Sequence, residues 1–424
     1  MPKLALFSVF MFVFFTACVA NSQLEPGVES AAFPENLVAP VKLSEGLPLV
    51  ERQIAYCEFD LSLGRPQGEI KITSPLGTSG FYVESPVPAA TISDIGCLGP
   101  TVFGLDWSPD GKALLFNLGP SVPAKSDVDT NGQPVNSSVL LNPPKYTFYG
   151  FAHAPTWSPQ GNLIAFISKF QEGPGQIGEP PFAPSLFISE SDGSDPRFFV
   201  QEQTGGGISS YPVWSHDGTR VAYMLSLPAN GMGILDVESG EVTYFDAQNF
   251  YEIPQGVLEL HGIRPRDSIA WLPGDKIILF LTNSESETED ILWRVEVESG
   301  NLTKMYQANI KQIALSPDGK TLALITAEGF PEKHMIKTLS LTDEMRLQNL
   351  VTESVWENAT NQEIEIRDLA WSLDGRYLAF AADPDNNFDL FVWDTQTTEF
   401  TQLTHTPKLA EFALAWRPSL ETDN

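Results

Sequence analysis

The amino-acid sequence predicts an all-β fold, a seven-bladed β-propeller of four-stranded blades, with a six-bladed ring as the alternative. Two observations carry that expectation. First, an apolar run ending in Trp, a Ser-Pro-Asp-Gly-like turn and a second apolar run recur seven times, with Leu315 once replacing the Trp. Second, the steps from Trp107 through Trp157, Trp214, Trp271, Leu315 and Trp371 to Trp416 are 50, 57, 57, 44, 56 and 45 residues. A propeller blade takes roughly 40 to 50 residues, whereas helical solenoid repeats are shorter or lack strand patterning.

In chain order, Lys3, the apolar stretch Leu4 to Phe15 and the small residues Thr16-Ala17-Cys18 form a secretory signal over residues 1–20. The stretch is too short to span a bilayer, which takes about 20 residues. Residues 21–50, rich in Pro, Glu and Ser, read as a flexible tether. A single propeller domain is expected over 51–418, followed by a tail, 419–424. Gln53 to Cys57, Glu69 to Thr73 and Gly80 to Glu84 read as three strands with no motif Trp ahead of them. Six complete units then begin near residues 102, 151, 209, 267, 311 and 366. The last copy, Phe412 to Pro418, has an inner strand and no room for three more. One C-terminal strand and three N-terminal strands would therefore make the closing blade and remove the open edges of the ring.

Each motif has a local reason to turn. In Trp107-Ser108-Pro109-Asp110-Gly111 and Trp371-Ser372-Leu373-Asp374-Gly375 the Gly supplies positive φ, and in the first the Pro also fixes φ. The β-branched and aromatic flanks prefer an extended, half-buried surface. A Trp recurring at one strand position is read as packing between blades.

The motif resembles the WD40-like (PD40) repeats of the TolB propeller family, whose signature is W-S-P-D-G followed by a strand such as I-A-F. The likeness runs from about Ile54 to Pro418 and includes Ser189 to Arg197 as the turn between third and fourth strands, and Ala381 to Trp393 as the middle hairpin. It implies a noncatalytic protein of the cell envelope that binds a protein or peptide partner. Residues 21–50 are too few for that family's N-terminal α/β domain, so the resemblance is confined to the propeller. Phe15-Thr16-Ala17-Cys18 also resembles a bacterial lipoprotein box, which implies lipidation of Cys18 and anchoring at an extracytoplasmic face. Cleavage after Ala20 would instead release a soluble secreted protein.

Charge narrows the partners. With 25 basic and 54 acidic residues the chain carries −29, which repels nucleic acid and anionic lipid surfaces and favours cationic partners. The expected partner is an unknown protein or peptide, with membrane contact through the lipid anchor alone, and the expected state is a monomer. Besides Cys18 the chain has Cys57 and Cys97, an even pair suited to a disulfide at the ring seam or to two buried thiols.

No residue is assigned a catalytic role. The motifs G-x-S-x-G, H-E-x-x-H and C-x-x-C do not occur, and the five His are scattered without metal-ligand spacing. Asp127, Asp129 and Asn131 alternate ahead of Gly132 as in a calcium loop, but the twelfth position is Ser138 rather than Glu, so calcium and a polar hairpin both remain open. Asp383 to Asp389 alternates similarly without the Gly and reads as a hairpin. The axial channel is the expected binding surface. Its mouth is assigned Asp106, His153, Tyr211, Arg266, Asp267, Lys311, Arg367, Asp368 and Glu411. The alternative function is an exported carbohydrate-active hydrolase or lyase using channel carboxylates such as Asp106, Asp267 and Asp368 as acid and base.

Overall fold

Successive strand residues point to opposite faces, so a strand apolar at every position must be covered on both sides. In Ala113–Leu118, Ala113 and Leu115 pack with Trp157, Ile164 and Phe166 of the following unit, while Leu114 and Phe116 pack with Ile70, Ile72 and Phe412 of the chain's two ends. That two-sided burial, repeated in each unit, stacks blades around an axis.

The structure is a computed structural model and describes residues 53–60, 68–73, 104–118, 122–130, 132, 134–140, 146–148, 153–168, 170–172, 185–200, 208, 211–225, 231–246, 269–283, 289–329, 332–341, 347–349, 364–384, 387–398, 400–406 and 409–418. All belong to one compact unit, Pro40–Asn424. The expected signal, Cys18 and tether lie outside the described residues, as do Cys97, Asn131, Arg266 and Asp267.

Six antiparallel four-stranded sheets follow one another. From the axis outwards, blade 1 is Asp106–Trp107, Ala113–Leu118, Val122–Val128 and Pro134–Val139, and blade 2 is His153–Trp157, Leu163–Ser168, Ser185–Glu190 and Arg197–Val200. Blade 3 is Val213–Trp214, Arg220–Leu225, Gly231–Asp236 and Val242–Asp246; blade 4 is Ile269–Trp271, Ile277–Asn283, Asp290–Glu296 and Leu302–Ala308. Blade 5 is Ile310–Leu315, Thr321–Glu328, Lys333–Ser340 and Leu347–Asn349; blade 6 is Ile366–Trp371, Tyr377–Ala382, Asp389–Asp394 and Phe400–Gln402. The seventh blade joins the chain's ends: Leu409–Trp416 pairs with Ile54–Asp60, which pairs with Gly68–Thr73. Its expected further strand, Gly80 to Glu84, lies outside the described residues.

Seven blades are therefore present, and the weak motif at Leu315 does form a full blade. Inner strands pack against their neighbours all the way round, blade 7 meeting blade 1. The core is correspondingly divided into layers between blades, such as Ile167, Ile188, Trp214 and Tyr223 between blades 2 and 3, and Ile325, Ile366, Leu378 and Phe380 between blades 5 and 6. One feature lay outside the repeat pattern: Tyr146–Phe148 pairs with Phe170–Glu172 as a separate two-stranded sheet.

Candidate functional site

The motif turns position everything at the axis. In blade 1 the Ser108 hydroxyl donates to Asp110 Oδ1 (2.6 Å) and accepts the Ala113 amide (2.8 Å), while Asp110 Oδ1 accepts the Lys112 amide (3.0 Å). The same set recurs at Ser215/Asp217, Ser316/Asp318 and Ser372/Asp374. The Ser316 hydroxyl and the Lys320 amide hold the Asp318 carboxyl below the usual carboxylate range.

The motif Trp does more than fill space. Its indole N–H donates to the carbonyl just before the preceding blade's motif position: Trp107 to Ala415 (3.2 Å), Trp214 to Thr156 (3.2 Å), Trp271 to Val213 (3.0 Å), Trp371 to Ala314 (3.0 Å) and Trp416 to Ala370 (2.8 Å). Leu315 has no N–H to reach Ala270, and the buried indole N–H of Trp157 has no hydrogen-bond partner.

Polar side chains also cross every seam. Asp106 accepts the Trp157 amide (2.8 Å), Gln160 donates to the Asp217 carbonyl (2.8 Å), and Asp290 accepts the Ile310 amide (3.0 Å). Between blades 5 and 6, Gln312 accepts the Leu369 amide (3.2 Å) and His334 Nδ1 accepts that of Ile366 (3.1 Å). Burial pushes the His334 pKa down, which keeps that nitrogen an acceptor. Asp368 accepts the Ala413 amide (2.9 Å) between blades 6 and 7. In blade 4 the order Pro273-Gly274-Asp275 replaces Pro-Asp-Gly, so Asp275 turns to the preceding blade and accepts the amides of His216 and Asp217, both at 2.9 Å.

The seventh seam is held by Arg417, where the other motifs carry Ser or Leu. Its guanidinium is buried and donates to the carbonyls of Gly111 (2.7 Å) and Val128 (3.2 Å) and to Gln53 Oε1 (2.6 Å), stacked 4.9 Å over the Trp107 ring. Cys57, in the neighbouring strand, is disulfide-bonded to a cysteine outside the described residues.

The inner strands enclose an axial cavity of about 420 Å³. Its walls mix apolar side chains such as Leu105, Ile269, Ile313, Leu369 and Trp416 with polar surface, to which, among the described residues, Asp106, Tyr211, Gln312 and Asp368 contribute side chains. Of the residues expected at the mouth, Asp106, Tyr211 and Asp368 line this cavity together. Lys311, Arg367 and Glu411 do not. Lys311 pairs with Glu332 (2.8 Å); Arg367 pairs with Glu365 (2.5 Å) and stacks over Phe388 and Phe412. Glu411 is fully buried and is pushed up to about 8 by desolvation, while burial raises Asp383 to about 6. His153 begins the inner strand of blade 2.

The Asp127 segment is a hairpin: Asp127 pairs across to Asn136 and its carboxylate lies 3.7 Å from Lys125 Nζ. Among the described residues no group of three or more His, Cys, Asp or Glu is placed to hold a metal ion. Sequence reasoning missed Arg417, Asp275, Asp290 and Gln312. The only signal for the first two was their departure from the motif.

No family model matches the chain, and no curated relative matches it. Among solved structures it is similar to the oligogalacturonate lyase of Vibrio parahaemolyticus, at 11% identity over 81% of this chain and 92% of that one, with a TM-score of 0.54. It is also similar to an oligogalacturonate lyase in complex with manganese, at 11% identity over 77% and 82%, TM-score 0.53. TolB from Acinetobacter baumannii aligns at 13% identity over 84% and 80%, TM-score 0.45. These likenesses concern the fold. The architecture defines a seven-bladed β-propeller with an open axial cavity.

Proposed function

We propose that the protein is a noncatalytic binding propeller of the cell envelope that takes a basic peptide segment of a partner protein at its axial cavity. The observation that supports this most is the commitment of the cavity carboxylates: Asp106 and Asp368 each accept a backbone amide of the next blade. A carboxylate so engaged is positioned as part of the wall by an amide of the next blade, which suits a fixed negative potential better than proton transfer. The net charge of −29 adds a field that draws cations and repels anions. An oligogalacturonate is itself a polyanion, so the fold shared with those lyases does not bring their substrate with it. The envelope location rests on the leader pattern at Lys3 to Cys18.

Calorimetric titration with a lysine-rich peptide and a glutamate-rich peptide of equal length tests the reading. The lysine-rich peptide binds and weakens as salt is raised, and the glutamate-rich one does not bind. Equal indifference to both, together with product release from an oligosaccharide panel, would overturn it in favour of the carbohydrate-active alternative.

A further inference from the structure

We infer that the seam between blades 6 and 7 is a proton-operated latch, closed when the buried carboxyl of Glu411 is neutral and loosened when it ionises. The inference is independent of what the axial cavity binds. Glu411 and Asp389 are both fully buried, one on the inner strand of blade 7 and the other on the third strand of blade 6. Glu58 stands directly opposite Glu411 in the closing pair of strands, and like charges so placed repel. Two buried carboxylates and a third opposite them cannot all carry charge without counterions.

Among the described residues the basic groups nearby are otherwise engaged. Lys71 pairs with Glu58, and Arg367 pairs with Glu365 while stacking on Phe388 and Phe412. His405 lies 3.8 Å from Asp389 and is exposed. Asp368, the remaining carboxylate on the facing strand of blade 6, accepts the Ala413 amide. Across the other neighbouring strand stands Asp106 of blade 1, bonded to the Trp157 amide.

Between the two buried carboxylates, hydrogen bonding decides which keeps the charge. Asp389 accepts the Thr406 amide (3.0 Å) and the Gln402 side-chain amide (3.0 Å). Among the described residues Glu411 has the hydroxyls of Thr404 and Thr406 against its oxygens, and a hydroxyl serves an acid as readily as an anion. The geometry places the proton on Glu411, in line with the rise of its pKa to about 8, through desolvation first, with Asp389 and Glu58 adding to it and the Thr404 and Thr406 hydroxyls opposing it.

The sign follows from linkage. The Glu411 pKa is raised from its ordinary 4.5 to about 8 by the closed seam, so its stabilising contribution is complete below about 4.5 and is lost as pH rises towards about 8. Opening at this seam then grows by up to about tenfold per pH unit within that window.

The test is hydrogen exchange at the amides of Leu409–Trp416, corrected for intrinsic rates, and calorimetric melting of the full chain between pH 5 and 9, for the wild type and Glu411→Gln. Wild type loses protection and melts lower as pH rises to about 8, whereas the isosteric Glu411→Gln is flat in the difference and the more protected protein above pH 8. Asp383 titrates in both proteins, so the difference isolates Glu411. Parallel profiles for the two proteins would overturn the latch. So would a rise in melting temperature on adding calcium at pH 8 that a chelator reverses, because a cation would then be neutralising the carboxylates. If Glu411→Gln does not fold, Asp389→Asn serves instead: removing the neighbouring charge lowers the folded-state pKa of Glu411, so protection is lost over a narrower window that ends at lower pH, and an unmoved profile contradicts the proposal.

Discussion

At the residue scale, five indole N–H groups link neighbouring blades, and the two remaining motif positions, Trp157 and Leu315, serve as controls. Trp214 and Trp157 are equally buried, at 7% exposure, yet only the Trp214 indole finds a carbonyl, that of Thr156. Trp214→Phe therefore loses both packing and a hydrogen bond, while Trp157→Phe loses packing and relieves an unpaired buried donor. The expected outcome in denaturant unfolding is a larger loss for Trp214→Phe by about 1 kcal/mol. Leu315 shows that the indole is dispensable in a single blade, since blade 5 forms with Ile313, Leu322 and Leu324 filling the same layer. Arg417 is the opposite case, a residue used once. Its buried cation donates to carbonyl and amide oxygens rather than to a carboxylate, and desolvation pulls its pKa down against the opposing charges of Asp129 and Asp110.

At the element scale, the motif turns form a belt in which the third residue of one turn reaches the Gly of the next. A Cβ on Gly319 would stand 2.3 Å from Cδ of Pro273, and one on Gly161 would stand 3.3 Å from Cδ of Pro109. Gly319 also has φ +68°. Gly240 has a similar φ, +73°, but open space around it. Both Gly→Ala changes carry the left-handed backbone cost of roughly 1–2 kcal/mol. Gly319→Ala adds a clash with the neighbouring blade's ring, and thermal melting is expected to show it as the more destabilised of the two by at least about 1 kcal/mol.

Blade order, the turns and the joining of the chain's ends were legible because each is written in a local pattern, Trp107-Ser108-Pro109-Asp110-Gly111 and its copies, or in the missing strands after Trp416. The links across the seams were not. Asp106 stands one residue before its Trp and bonds the amide of Trp157 itself, whereas Asp368 stands three before and bonds Ala413, three before Trp416, so the two reach the next blade at different points along the inner strand. Glu411 reads as a channel-mouth acid by its position before Trp416, and only the packing of Thr404, Thr406 and Asp389 over it shows that it is interior.

At the scale of the whole molecule, a closed ring with a cavity on its axis makes the inner strands the structural hub and, in the proposed function, the binding wall as well. The same carboxylates then serve two purposes: their oxygens hold neighbouring blades and their charges set the potential of the cavity. Asn retains the acceptor oxygen and removes the charge, so the double variant Asp106→Asn, Asp368→Asn separates the two. The most direct measurement is titration of the lysine-rich peptide into that variant beside the wild type, with melting curves for both. The account predicts a ring that melts within a few degrees of wild type and a peptide affinity at least about threefold weaker, from two charges removed at the cavity. Unchanged affinity in the folded variant would contradict it and place the binding surface elsewhere on the propeller.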